Sequence, residues 1–483
     1  MARALLRKGS TTMRLRSLLF TLTLAGCAGA LPPETSDTSN LGNTRCESAL
    51  FTTIAEQVMS VTGGPIARND VVTTDNVADS NVLIGGAAIF GKVADLVEAA
   101  QHDVAIETWR WDAGADPTLR LLDGLKRLEA RRRSAAATTP VVVRLLLNRV
   151  TGQTVENLSR VGTAILAQGL DKSLVDVQIV DYFPTWLGAN HAKTAIIDGQ
   201  WAVVMGANMA NGYDTSPEWW DSGVVVGGQV AQSLFVDFAG MWSAGQQWLC
   251  GAGSARSPVN ANETVDGPDP CFDRPSPAST IPATSTAACM PMIVANHPAD
   301  GLPFPAAQPD TQQAKMFLGA MNNARTLVRV QSPNLNEELM KQAIVDAIHR
   351  GVTVQLLLSM GFEQTGESLP GRGGSNDETV IDLFTRVSDV SNACALLQLH
   401  WYSVDGLTPV DGTPPPNSHV KYMSVDGQVA IAGSANMDVQ SWRNSHEINV
   451  LVDSADLTKA WDDNLFLIAW DRSVVEAHCA PNN

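Results

Sequence analysis

Apolar residues along this chain fall into runs that recur in the same order in two halves. Val141 to Asn148 (VVVRLLLN) and Val352 to Ser359 (VTVQLLLS) are short and rich in β-branched residues and leucine, the pattern of a buried parallel strand. Each follows a stretch with apolar positions at helical spacing, LRLLDGLKRLEARRR from Leu119 and NEELMKQAIVDAIHRG from Asn336. Each helix in turn follows a strand-like run, DVAIETWRWD from Asp103 and TLVRVQSPN from Thr326. Downstream, HAKTAIIDGQWAVVMGANM at His191 and HVKYMSVDGQVAIAGSANM at His419 read as hairpins turning at Asp-Gly-Gln and are identical at nine of nineteen positions. Strands alternating with helices predict an α/β fold of two duplicated halves, each a mostly parallel mixed sheet flanked by helices.

Breaks in this pattern suggest boundaries at residues 81–250 for the first half and 311–483 for the second. Residues 251–310, rich in Pro, Ser, Thr and Ala without periodicity, read as a surface linker. Two Gly/Pro-rich loops, GESLPGRGGSND and DGLTPVDGTPPPN, interrupt the second half. The latter runs directly into His419, where a loop would overhang whatever that residue does.

Composition changes the picture mainly at the N-terminus. Residues 1–26 join a basic start (Arg3, Arg7, Lys8, Arg14, Arg16) to the short apolar run LLFTLTLAG, the layout of a secretory signal. The run ends Leu24-Ala25-Gly26-Cys27, which resembles a bacterial lipobox with Cys27 as lipid anchor. Residues 27–80 then read as a tether and N-terminal segment. The expectation is an exported envelope lipoprotein, with the outer membrane favoured because Ala28 and Gly29 replace a retaining Asp, or else a secreted protein. The six other cysteines (Cys46, Cys250, Cys271, Cys289, Cys394, Cys479) form no C-x-x-C pair and allow up to three disulfides. The formal charge of −17 becomes −22 without the five basic residues of the first 26. Such a field repels polyanions, so no specific nucleic acid is expected as partner, and the basic run Lys126 to Ser134 reads as a solvated helix face.

The candidate chemistry sits in the twin motifs. His191 and Lys193, like His419 and Lys421, are two apart on a strand-like segment, so their side chains share a face. Asp198 and Asp426 follow five residues after the lysines and read mainly as starting a turn with the next glycine, with a supporting electrostatic role beside it, and Asn208 and Asn436 lie ten residues later. An ammonium and an amide suit the oxygens of a phosphate, while one imidazole can attack phosphorus and the other protonate the leaving oxygen. Ser434 is a further candidate for phosphate contact, against simple packing. Met205 stands where the second motif has Gly433, and either narrows the site or packs behind it.

His191-x-Lys193-x4-Asp198 and His419-x-Lys421-x4-Asp426, followed by MGAN and GSAN, resemble the paired HKD motifs of the phospholipase D superfamily, from about Asn81 to Arg472. The resemblance implies two halves packed about a pseudo-two-fold axis around one site, with His191, Lys193, Asp198, His419, Lys421 and Asp426 as the catalytic set. It implies a phosphohistidine intermediate on one histidine, and by analogy His191 is the nucleophile and His419 the general acid. Asp221 and Glu447 occupy positions where relatives carry an acid that orients a histidine. The implied activity is phospholipid hydrolysis or phosphatidyl transfer, as in phospholipases D and cardiolipin synthases, at a membrane surface, by a monomer carrying both motifs.

Other residues read more plainly. His102, His297, His349, His400 and His478 are expected to be structural, and His446 is unassigned. Trp109, Trp111, Trp219, Trp220 and Trp442 line a lipid entrance or pack in the core. A lysine two residues from each motif histidine argues against a metal there, and no cofactor is expected. The alternatives are a secreted metal-independent nuclease and a non-catalytic lipid- or phosphate-binding lipoprotein.

Overall fold

The computed structural model describes residues 46–61, 66, 68–149, 156–182, 188–250, 259–260, 289–299 and 310–479. The signal segment, Cys27 and most of the 251–310 linker therefore lie outside the described residues. Among the described residues no helix is long and apolar enough to cross a membrane.

The α/β class and the duplication are borne out: the described residues form two nine-stranded mixed sheets with helices against them. In the first, Asp103–Thr108, Val141–Asn148 and Val175–Tyr182 pair in parallel. Thr194–Ile197, Trp201–Met205 and Ser222–Gly228 then extend that sheet as an antiparallel meander from Asp103–Thr108. The second repeats this with Leu327–Ser332, Thr353–Leu358 and Leu397–Trp401 in parallel, and Tyr422–Val425, Val429–Gly433 and Glu447–Asp453 antiparallel. Parallel pairing is thus confined to the strands joined by helical crossovers, such as Asp116–Ser134 and Glu338–His349, so the expected mostly parallel sheets are corrected to mixed sheets in which antiparallel pairing prevails. The motif hairpins need no crossover and pair antiparallel.

Alternation along the first half's strands divides them between two cores. Val104, Ile106, Leu145, Leu147, Ile197 and Val203 pack outward beneath the helices Gly85–Ala99 and Asp116–Ser134. Ala105, Leu146, Val180, Ile196 and Val204 point inward and join one cluster with the second half, including Met292, Ile293, Ala430, Ile431 and Leu451.

Two boundary expectations need correction. The 251–310 linker contains a strand of the second sheet: Met292–His297 lies antiparallel to Glu447–Asp453 and is buried along its whole length. Its sequence, MIVANH, is a short apolar run at the end of a Pro-rich stretch, which masked its β-branched centre. Residues 46–61 and 68–80 of the expected tether segment belong to the fold, and residues 27–45 lie outside the described residues. A disulfide from Cys46 to Cys289 holds the segment, and the helix Ala49–Met59 buries Phe51, Ile54, Ala55 and Val58 in the shared core against the helix Gln312–Asn323. Gly319 permits this approach, since a Cβ there would stand 2.7 Å from Gln57 Oε1.

Candidate active site

Each motif histidine stands at the entry of its hairpin, where the chain crosses to the other half. Asn190 bridges His446, and Ser418 bridges Trp220. Those four positions correspond between the halves, since Asn190 and Ser418 precede the histidines while His446 and Trp220 precede the acids. The reciprocity is that of a two-fold interface. The main-chain N–H of His191 donates to His446 O at 2.9 Å, and that of His419 to Trp220 O at 2.8 Å.

This crossing delivers each acid to the opposite half's histidine. His191 Nδ1 lies 2.7 Å from Glu447 Oε1, and His419 Nδ1 lies 2.8 Å from Asp221 Oδ2. Both carboxylates are fully buried. A carboxylate on Nδ1 fixes the ring so that Nε2 is the reactive nitrogen, and it stabilises the imidazolium.

His191, His419, Asn208 and Asn436 all line one cleft of about 470 Å³. Asn208 Nδ2 donates to the Tyr213 hydroxyl at 3.0 Å, and Asn436 Nδ2 to Asp438 Oδ2 at 3.1 Å. Lys193 and Lys421 are buried more deeply than the histidines, and each ammonium donates to the main-chain carbonyl of its own motif's histidine. Burial brings Lys193 down to about 7 and Lys421 down to about 8, against the pull of Glu447 and Asp221 respectively. The same burial pushes Asp221 up to about 7, while Lys421 and Lys193 draw it back. His419 is held well below its ordinary value by burial and then by the two ammonium groups, and His191 is lowered by burial in the same way. Burial would raise Glu447, but His191 and Lys193 bring it below the usual carboxylate range.

Asp198 and Asp426 start the turns as read, but their place in the catalytic set and the phosphate role of Ser434 are corrected. Asp198 and Asp426 lie at the far end of their hairpins, about seven residues or roughly 20 Å of extended chain from the histidines. Asp198 accepts from the main-chain N–H groups of Gln101, His102 and Asp103 at 2.7–2.9 Å. Asp426 accepts from those of Arg325, Thr326 and Leu327 at 2.8–3.0 Å. Both adopt positive φ, 52° and 53°, at the tight turn. They pin the hairpin to the start of the neighbouring strand and do not reach the cleft. Ser434 does not face a phosphate either: its hydroxyl donates to Glu447 Oε2 and is fully buried. The corresponding Gly206 leaves room for Asp221, whose Oδ1 would lie 2.2 Å from a Cβ there. Met205 packs in the outer core of the first half.

Sequence reading missed several cleft residues, Tyr213 and Phe362 among them. With Trp219 they ring His419, the centroids of Tyr213, Trp219 and Phe362 lying 5.9, 5.6 and 5.9 Å away, and Trp109 meets His191 edge-on at 5.8 Å. Trp109 and Trp219 thus line the cleft, whereas Trp442 is core. Glu363, Glu367, Arg372 and Thr413, from the two Gly/Pro-rich loop regions, close one side. Asp438 caps the helix Val439–Arg443 and had one local signal, its place two residues after Asn436. His102, His297, His349, His400 and His478 do not line the cleft.

The family described as "Cardiolipin synthase, PLD-like domain" matches residues 317–466. Cardiolipin synthase 1 of Bacillus anthracis is 24% identical over 429 residues, covering 85% of this chain and 69% of that protein. The solved phosphatidylserine synthase of Haemophilus influenzae Rd KW20 covers 87% of this chain and 91% of its own, with a TM-score of 0.52 at 12% identity, a likeness of fold. With two His-x-Lys motifs meeting in one cleft between duplicated halves, and a second half that matches the PLD-like family, the chain is similar to the phospholipase D superfamily.

Proposed function

We propose that the protein is a phospholipase D-type phosphatidyltransferase, which moves a phosphatidyl group from a phospholipid to an alcohol or to water through a phosphohistidine. The observation that carries this reading is the pair of histidines in one cleft, each held through Nδ1 by the opposite half's buried carboxylate. The match to cardiolipin synthase along most of the chain supports phospholipid as substrate.

In the proposed reaction His191 Nε2 attacks phosphorus as the bond to the headgroup oxygen breaks, and His419 gives that oxygen a proton. An alcohol or water then attacks the phosphohistidine, the N–P bond breaks, and His419 takes the proton from the incoming oxygen. Two features support this assignment. The His191 side chain is the more open to the cleft, 15% exposed against 9% for His419. Asp221, raised by burial to about 7, lets the Asp221–His419 couple carry a proton near neutrality, as a general acid requires. Lys193, Lys421, Asn208 and Asn436 supply positive charge and amide donors for the phosphate oxygens. A bound phosphodiester anion offsets the two ammonium groups that depress His419, so substrate binding favours the protonated acid.

Lipid mass spectrometry of phosphatidylglycerol and phosphatidylethanolamine vesicles with a small primary alcohol tests the proposal. Phosphatidic acid, phosphatidyl-alcohol or cardiolipin should form with the intact protein and not with His419→Ala. Failure to form any lipid product under these conditions would refute it. On the same footing we propose export and lipid attachment at Cys27, which labelled palmitate incorporation, lost in Cys27→Ala, would test.

A further inference from the structure

Behind His191, away from the cleft, Glu107, Asp237 and His446 meet from three elements. Glu107 is on the strand Asp103–Thr108, Asp237 on the helix Gln229–Cys250, and His446 immediately before the strand Glu447–Asp453. All three are buried, with exposures of 1%, 1% and 0%. His446 Nε2 lies 3.1 Å from Asp237 Oδ2 and 3.7 Å from Glu107 Oε1.

The surroundings leave these three atoms facing one another. His446 Nδ1 is 3.0 Å from the main-chain carbonyl of His297, and donation there turns the Nε2 lone pair towards the two carboxylates. Asn296 Nδ2 donates to Asp237 Oδ1 at 2.6 Å, leaving Oδ2 for the cluster. Glu107 Oε1 and His446 Nε2 make no hydrogen bond of acceptable geometry, and neither do the amide oxygen and nitrogen of buried Asn190. A neutral His446 in this arrangement presents one nitrogen and two carboxylates to a shared point that a cation can occupy. A proton on Nε2 pairs with Asp237 across 3.1 Å and leaves Glu107 Oε1, 3.7 Å away, to the side chain of Asn190.

Charge points the same way. In the cleft, two lysines balance Asp221 and Glu447, and Lys193 acts on Glu107 more weakly than His446 or Asp237 does. A divalent ion with neutral His446 makes the cluster itself neutral. The observed separations also straddle the ~3.3 Å expected between ligand atoms of a tetrahedral ion with bonds of about 2.0–2.1 Å. The main-chain carbonyl on Nδ1 and the Asn296 amide on Asp237 are the outer partners that orient metal ligands.

We propose that Glu107 Oε1, Asp237 Oδ2 and His446 Nε2 bind a zinc ion, with Asn190 Oδ1 or a water as fourth ligand, as a structural clamp between the two halves. One imidazole with carboxylates suits zinc better than magnesium or calcium, which prefer all-oxygen sets. The site is separate from the phosphodiester chemistry and its test does not depend on that activity.

The full chain, purified without chelator from zinc-supplemented cells, should hold about one zinc per chain by elemental analysis, and Asp237→Asn and His446→Phe should lose it. Cobalt introduced by refolding should give the intense visible bands of a four-coordinate site. Refolding with zinc should raise the melting temperature above that of protein refolded in chelator. Should the variants fail to fold, the metal content and refolding response of the unaltered chain still decide. Zinc well below stoichiometric, with a melting temperature that zinc does not move, overturns the proposal and leaves a protonated His446 to close the cluster.

Discussion

Replacing Glu447 by Gln removes one charge and almost no volume, so it isolates what the crossed carboxylate does for His191. Phosphohistidine formation leaves positive charge on the imidazole ring, 2.7 Å from Oε1 at its Nδ1 edge. With charge centres about 4 Å apart and an effective dielectric of about 20, the attraction is about 4 kcal/mol. The glutamine oxygen can still accept from Nδ1–H, a retained hydrogen bond of about 1 kcal/mol. The net loss of about 3 kcal/mol corresponds to a ~100-fold slower first step. The assay is the single-turnover burst with two phosphodiesters, one with an alkoxide and one with a nitrophenolate leaving group. Nitrophenolate needs no proton, so it should rescue His419→Asn and Asp221→Asn while leaving Glu447→Gln and His191→Asn slow. Rescue of Glu447→Gln but not Asp221→Asn, or a loss below about tenfold for Glu447→Gln, would refute the crossed assignment.

Asp426→Asn should lower stability by about 1–3 kcal/mol while changing turnover little, because the carboxylate gathers three main-chain donors and the Thr326 hydroxyl, away from the cleft. Those donors hold the Asp426 carboxyl below its usual range despite partial burial. Its stabilisation is therefore complete above the unfolded pKa of about 3.9 and is lost as pH falls through the lower folded value, so the melting curves of the two proteins should converge in acid. Lys193, at about 7, and Lys421, at about 8, lose their charge as pH rises, so kcat/KM should fall in two steps, of which Lys421→Arg removes the upper one. Reducing the Cys46–Cys289 disulfide, or replacing Cys46 by Ser, should cost about 2–4 kcal/mol, read from denaturant unfolding, because the bond ties the N-terminal helix to the second sheet.

What could be read from sequence was what depends on local spacing. His191 and Lys193 recur as His419 and Lys421 because a strand puts residues two apart on one face, and that geometry is complete within three residues. Asp198 and Asp426 kept the same spacing for a different reason: a tight turn and a ring of main-chain donors at the far end of the hairpin. A repeat reports that a residue is retained in both halves and not which end of the strand uses it. Ser434 and Gly206 show the same limit, since one supports a longer acid and the other makes room for a shorter one. The helix Ala49–Met59 and the strand Met292–His297 were illegible for another reason: each acquires its partner from distant chain, and the strand's counterparts in the first half, Asn76–Ala78 and Leu83–Ile84, share no sequence pattern with it.

The crossing also explains why duplication within one chain suits this site. Each histidine takes its carboxylate, and the main-chain carbonyl beneath it, from the opposite half. Neither half alone can hold a histidine in the correct tautomer, so separating them removes both catalytic groups together. The resulting couples are nevertheless unequal. One pairs Glu447 and Ser434 with the more open His191, and the other pairs Asp221 and the Tyr213 hydroxyl with a His419 ringed by aromatic side chains. Fusion of the two copies in one chain lets such differences persist, because each couple can specialise in attack or in proton transfer without imposing the same change on its counterpart.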